Sequence, residues 1–221
     1  MKLELDADKL LTTTRAVRKR LDFDRPVDLE AVRDCLQIAL QAPSGSNAQG
    51  WHFVLVTDAE KRRALGEIYR RAFAVYRDMP ISAHALAEKR EGDEHSQMER
   101  VVSSAEYLAA NMERAPALLI PCVEGRADGA SGDLANLAQA SLYGSILPAT
   151  WSFMLAARER GIGTSWTTLH LMFEREAAEV LGIPYDLVTQ VAMSPVAYTR
   201  GREFEPALRR PLDDVLHLNR W

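Results

Sequence analysis

Between Leu134 and Ala157 the chain runs LANLAQASLYGSILPATWSFMLAA without a single charged side chain, and any fold it adopts must find room for that stretch. A bilayer span of ~20 apolar residues would leave Asn136, Gln139, Ser141, Ser145 and Ser152 uncompensated. The segment from about Asp133 to Arg160 therefore reads as a helix buried at the centre of a soluble domain. Pro148 removes a backbone donor inside it, so the pattern predicts a kink or two consecutive helices.

The neighbouring segments supply what such a helix packs against. Behind an Asp28 cap, Leu29, Val32, Leu36, Ala39 and Leu40 recur at helical spacing, and Pro43 marks the stop. WHFVLV at 51–56 and ALLIPCV at 117–123 read as strands, with helices before residue 77 and around Tyr107, Leu108 and Met112. Gly161 to Thr164 breaks the pattern, Ser165 to Leu169 reads as a strand, and Phe173 to Leu181 as a helix closed by Gly182 and Pro184. Gln190 to Tyr198 reads as the last strand.

Two stretches lack a place in this scheme. Residues 80–100 offer almost no apolar stripe and read as a flap or a solvated helix. The tail at 205–221 carries Val215, Leu216, Leu218 and Trp221, so it needs a surface to cover. With no repeat or linker to divide it, 1–221 is expected to form one mixed domain.

Several chemistries find no support. With 27 basic against 31 acidic residues the net charge is −4, so no overall field attracts nucleic acid. Cys35 and Cys122 form no CxxC, and His52, His84, His95, His170 and His217 show no ligand spacing, so no metal site is expected. Acidic residues at 4, 6 and 8 interrupt any export signal; with the isolated cysteines this points to a reducing cytoplasm and no membrane association. Neither a Walker sequence, a three-glycine dinucleotide loop nor a GxSxG elbow is present. The remaining expectation is an organic cofactor that does the chemistry.

Thr14 to Arg20 (TRAVRKR) places four cations in a short span, and one helical turn would put Arg15 and Arg18 on one face. Such guanidinium groups can grip a monophosphate, although a solvated basic face satisfies the same pattern. The segment from Ala42 to Trp51 can offer amide and backbone groups to a flat ring, or form a plain helix-to-strand loop.

Taken with two further segments, these motifs resemble the FMN-dependent nitroreductase family over essentially the whole chain. TRAVR at 14–18 is similar to its RRSxR opening, PSGSNAQGW at 43–51 to its PSxxNxQPW turn, GIGTSW at 161–166 to its GLGTxW loop, and RPLDD at 210–214 to its RPLxE signature. The resemblance implies an α+β three-layer sandwich, with a mainly antiparallel central sheet flanked by helices. It also implies an intertwined homodimer whose tails reach across the partner. Arg15, Arg209 and Arg210 would hold the FMN phosphate, and Arg18 the ribityl and N1/O2 side. The turn carrying Pro43, Ser44, Gly45 and Asn47 would meet the ring or ribityl chain. Backbone groups of the loop Gly161, Ile162, Gly163 and Thr164 would approach N5 and O4. Thr14 and Ala16 stand where the family has arginine and serine, removing one charge and one hydroxyl, and Gly50 stands where it often has proline.

The implied activity is ping-pong hydride transfer from NAD(P)H, through FMN, to a small aromatic acceptor such as a nitroaromatic or a quinone. No protein group is expected as acid or base. Tyr143 and Trp166 are candidate substrate contacts, with Tyr69, Tyr76 and Met98 open. A flavin-sequestering protein with 80–100 as its lid, reductive dehalogenation and flavin fragmentation are the alternatives.

Overall fold

The computed structural model describes residues 2–221. The centre of the fold is β2 (Ala117–Glu124), whose apolar residues have to be covered on both faces of a sheet. Leu118, Ile120 and Cys122 point to one side, beneath α3 (Ala59–Arg77), α5 (Gly92–Asn111) and α7 (Glu174–Leu181). Ala117 and Leu119 point to the other, beneath α2 (Leu29–Ala39) and α6 (Ala135–Glu159). The result is the expected α+β arrangement, with a central antiparallel sheet between two layers of helices.

β1 (Trp51–Val56) pairs with one edge of β2 along its whole length. The other edge of β2 is shared by β4 (Val188–Gln190) and β5 (Ser194–Tyr198), and β3 (Ile162–Thr164) closes that side beyond β5. Gln190 lies opposite Cys122 and Ser194 opposite Leu119, so three residues on one strand face two on the other, a bulge. Met193 turns its N–H away to the Thr167 carbonyl at 2.8 Å, which divides the single strand expected at 190–198.

Other expectations are corrected. A strand does not form over 165–169: β3 precedes it, Thr167 makes only an isolated bridge to Met193, and 169–173 is a 3-10 turn. Pro148 lies inside one continuous α6 and does not divide it. That helix is buried only from Ile146 onward, since Leu134 and Leu137 are exposed. The chain at 14–17 is not helical, and the helix at the amino-terminal end is instead α1 (Ala7–Thr13), capped by Asp6 accepting from Lys9. The polar 80–100 stretch takes the solvated-helix form, as α4 (Ala83–Ala87) and the first half of α5.

The tail beyond Tyr198 has no regular element except a short 3-10 turn at 212–214. Its first residues are tied down: Arg20 donates to the carbonyls of Arg200 and Glu203 and stacks over Phe204, with Arg158 beside the same ring. Farther on, Leu212, Leu218 and Trp221 are exposed.

Candidate functional site

Leaving α1, the chain runs along the outer edge of β3, where Val17 donates to the Thr164 carbonyl at 2.8 Å and Leu21 bridges Thr199. Gly163 is required beneath this crossing. A Cβ there would stand 2.7 Å from Thr199 Cγ2 and 3.1 Å from Val17 Cβ. The close approach fixes the segment from which Arg15 and Arg18 project.

Both arginines line one cavity of about 490 Å³, a size ordinary for a cofactor site. Ala16 joins them from the same segment, α5 supplies Asp93, Ser96, Gln97, Arg100, Val101 and Ser104, and Pro206 to Leu208 of the tail complete the wall. Arg15 Nη1 donates to the Glu205 carbonyl at 2.8 Å, which holds the tail against the site. Arg18 Nη1 donates to Ser104 Oγ at 3.3 Å. Among the described residues, Arg15, Arg18 and Arg100 have no acidic partner within ion-pair distance.

Arg18 is half-buried, and that loss of water pulls its pKa below the usual guanidinium value, opposed by the nearby phenols of Tyr69 and Tyr76. A desolvated cation without a counter-charge is stabilised by an incoming anion. Three guanidinium groups against the single carboxylate of Asp93 give the cavity an excess of two positive charges. That excess matches the charge of a monophosphate dianion, so the residues present fit the phosphate end of FMN.

The expected site residues are only partly gathered here. Arg209 and Arg210 line a neighbouring cavity with Arg90, Glu94 and Met98, separated from the first by the shared wall of Gln97 and Leu208. The bond from Arg15 to Glu205 places 206–208 in the first cavity, and the chain turns into the second immediately afterwards. Thr14 spends its hydroxyl on the Leu10 carbonyl at the end of α1. Gly161, Ile162, Gly163 and Thr164 form β3 and the turn before it, connected to the arginine segment through the Val17 bond.

The turn at Pro43, Ser44, Gly45 and Asn47 lies against α6, with Gly45 N–H donating to Ser145 Oγ at 3.0 Å, and it lines neither arginine cavity. Ser46, Asn47 and Gln49 all have φ near +50°, the left-handed region that side chains other than Asn and Asp seldom occupy. Strain of this kind, ~1–3 kcal/mol per residue, collects at ligand-binding turns. Trp166 packs against the apolar cluster between α2 and α6, while Tyr143 is exposed on α6. Tyr69 is buried, and Tyr76 accepts the Ala83 N–H at 2.8 Å.

Arg100 and Ser104 were missed by the sequence reasoning. The usable signal was the series 93, 96, 97, 100, 101 and 104, a stripe at helical spacing that is polar at every position but Val101.

Fold and site together define an antiparallel α+β sandwich with an arginine-lined cavity beside the edge of its sheet. The chain belongs to the nitroreductase family, whose model matches residues 11–197, so the RPLDD segment lies beyond the matched part. It is 26% identical over 216 residues to an inferred NADH dehydrogenase/NAD(P)H nitroreductase of Archaeoglobus fulgidus, covering 96% of this chain and 97% of that relative. An FMN and NADPH-dependent nitroreductase, NfnB of Sphigopyxis sp. strain HMH, shares the fold with a TM-score of 0.65 at 20% identity, over 98% of this chain and all of the other. An oxidized iodotyrosine deiodinase bound to FMN and 3-iodo-L-tyrosine does so with a TM-score of 0.62 at 21% identity, over 94% and 96% of the two chains. The fold therefore carries more than one flavin reaction, and the family assignment supports an oxidoreductase without fixing which. No described helix is long and apolar enough to cross a membrane.

Proposed function

We propose that this protein is an FMN-dependent oxidoreductase of the cytoplasm that takes a hydride from NAD(P)H and passes it to a nitroaromatic, a quinone or a similar small electrophile. The observation that carries this reading is the convergence of Arg15, Arg18 and Arg100 on one cavity, with no ion-pair partner for any of them among the described residues. Bound FMN supplies the hydride chemistry at its ring.

The chain's own residues hold and bias that cofactor. Arg15 and Arg100 neutralise the phosphate, while Arg18, deeper and less solvated, favours negative charge close to it. Arg209 and Arg210, in the cavity that shares Gln97 and Leu208 with the first, would complete the clamp if the tail turned them toward Arg15. β3 supplies a rigid strand end beside the arginine segment, and the strained 46–49 turn offers amide groups.

That turn lies outside the arginine cavities of its own chain, which supports a homodimer in which a second copy supplies it. α6 supports the same conclusion, because Leu137, Leu147 and Trp151 lie exposed along it. The apolar tail is expected to cover the partner as well.

Purified protein tests the reading directly. Flavin absorption bands with release of the colour on denaturation, and NADPH oxidation in the presence of nitrofurazone, are expected. Colourless protein that takes up no added FMN refutes it. Arg18→Ala should lower FMN retention, and unchanged occupancy and flavin potential would remove Arg18 from its role. A flavin-sequestering function, with the 80–100 stretch as its lid, is the second reading, since Asp93, Ser96, Gln97 and Arg100 of that stretch line one wall of the cavity. Full FMN occupancy with no turnover would select it. Product analysis separates nitro reduction from dehalogenation, the reaction named for the deiodinase neighbour, and from flavin fragmentation.

A further inference from the structure

The motifs that carry the family resemblance give α5 no part in the site, yet α5 builds one wall of the arginine cavity. Among the described residues, Arg18 makes its one side-chain hydrogen bond to this helix, donating from Nη1 to Ser104 Oγ at 3.3 Å. Ser104 Oγ in turn gives its own proton to the Val101 carbonyl at 3.0 Å, one turn back along α5. A serine hydroxyl has a single proton, so this back-bond leaves only lone pairs facing the guanidinium. The hydroxyl is thereby oriented as an acceptor for a cation.

A parallel contact lies beside it. Lys19 Nζ donates to Ser103 Oγ at 2.6 Å, so successive cations of the arginine segment lie on successive serines of α5. Lys19 faces the adjoining cavity with His84 and His95, and Arg18 faces the anion cavity. The fold could satisfy Lys19 with water, since that side chain is exposed. Arg18, half-buried and without an acidic partner, depends on its one hydroxyl acceptor.

We propose that Ser104 is a positioning residue, which holds the Arg18 guanidinium in the orientation that meets the anionic cofactor. Ser104 acts through Arg18, whose guanidinium its hydroxyl accepts from while its own proton is held by the Val101 carbonyl. The inference rests on the FMN reading above and adds to it that the helix over the cavity is mechanically part of the clamp. Displacing α5 removes the acceptor of Arg18, so cofactor affinity and the position of α5 are coupled.

Titration of cofactor-free protein with FMN, followed by quenching of flavin fluorescence, tests this on the wild type, Ser104→Ala, Ser104→Thr, Arg18→Ala and the Arg18→Ala/Ser104→Ala double variant. Ser104→Ala should raise the dissociation constant about tenfold, as loss of a hydrogen bond to a charged group implies. Ser104→Thr, which keeps the hydroxyl, should restore it to within about twofold. Arg18→Ala should weaken binding at least as much, and adding Ser104→Ala to it should cost nothing more. An undiminished effect of Ser104→Ala in the Arg18→Ala background, no effect in the wild type, or failure of Ser104→Thr to restore binding overturns the inference. Wild-type protein that binds no FMN overturns the functional reading and this inference with it. Tight wild-type binding with an unaltered Ser104→Ala variant overturns this inference alone.

Discussion

The backbone N–H of Val17 donates to the carbonyl of Thr164 at 2.8 Å, and this one bond joins two segments far apart in the chain at the edge of the sheet. It sets Arg18, the next residue, against α5 while β3 remains paired with β5 on its other side. The arginine segment is positioned by the sheet, and the arginine-lined cavity inherits its geometry from strand pairing.

Gly163→Ala tests that dependence. The added methyl would stand 2.7 Å from Thr199 Cγ2, 3.0 Å from Leu21 Cδ2 and 3.1 Å from Val17 Cβ. Overpacking of this sort costs ~1–3 kcal/mol, about 2–4 °C of melting temperature per kcal/mol at this chain length. Thermal unfolding followed by circular dichroism should show the fall, with weaker FMN retention as residues 17–21 shift. An unchanged midpoint and unchanged retention would mean that the crossing relaxes freely.

Much of the fold was legible because burial leaves a strong pattern. β2 has both faces covered and so reads as a continuous apolar run, and α2 has one buried stripe at helical spacing. The short β3 was not legible as a strand, because three residues including a glycine carry no periodicity and its pairing depends on β5 and Val17. The division of β4 from β5 depends on Met193 bonding to Thr167, a tertiary preference invisible locally. In the site, Arg15 and Arg18 were legible as a dense cluster of charge. Arg100 and Ser104 were not, because α5 presents them to a cavity and not to the core, so hydrophobic periodicity gives no signal.

A second prediction concerns Arg126, which ties the loop after β2 to α7 and β4. Its guanidinium pairs with Glu174 at 2.9 Å, reaches Asp128 at 3.0 Å, and donates to the Tyr185 and Val188 carbonyls at 3.0 and 3.3 Å. The hydrogen bonds to Glu174 and then Asp128 hold its pKa above the ordinary guanidinium value. Arg126→Ala leaves the Glu174 carboxylate, 13% exposed, without its cation, a loss of ~3–5 kcal/mol. Urea denaturation should show it. Glu174→Gln should cost less, because its amide oxygen can still accept the Gln190 N–H now bonded at 3.0 Å.

His170 predicts a pH dependence. Its ring is fully buried, neither nitrogen has a hydrogen-bond partner among the described residues, and burial pushes its pKa down to about 3. The unfolded chain takes up the proton near pH 6.5, so between about 6.5 and about 3 the unfolded state binds more protons. This contribution to stability is therefore intact above pH 6.5 and declines by up to ~1.4 kcal/mol per unit as pH falls through that window. Urea midpoints at pH 7.5, 5.5 and 4.5 should fall more steeply for the wild type than for His170→Leu. Parallel curves would mean that the buried imidazole finds a partner for its proton.

Along α6, Leu137, Ala140, Gly144, Leu147 and Trp151 follow at spacings of three and four residues and so share one exposed stripe. Leu137 is 61% and Trp151 42% exposed, an apolar surface that is costly to leave in water. At Gly144 a Cβ would meet nothing within 4 Å, so the centre of the stripe is an open notch flanked by large side chains. A two-fold partner could bring its own α6 close at that notch while the leucines and tryptophans pack on either side. Gly144→Glu puts a charge into the notch, starting from a Cβ that meets nothing within 4 Å among the described residues. Sedimentation velocity should show the wild type at twice the mass of the variant, with FMN retention reduced in the monomer because the 43–50 turn of the second copy is lost. A Gly144→Glu protein that remains at the wild-type mass would place the interface elsewhere.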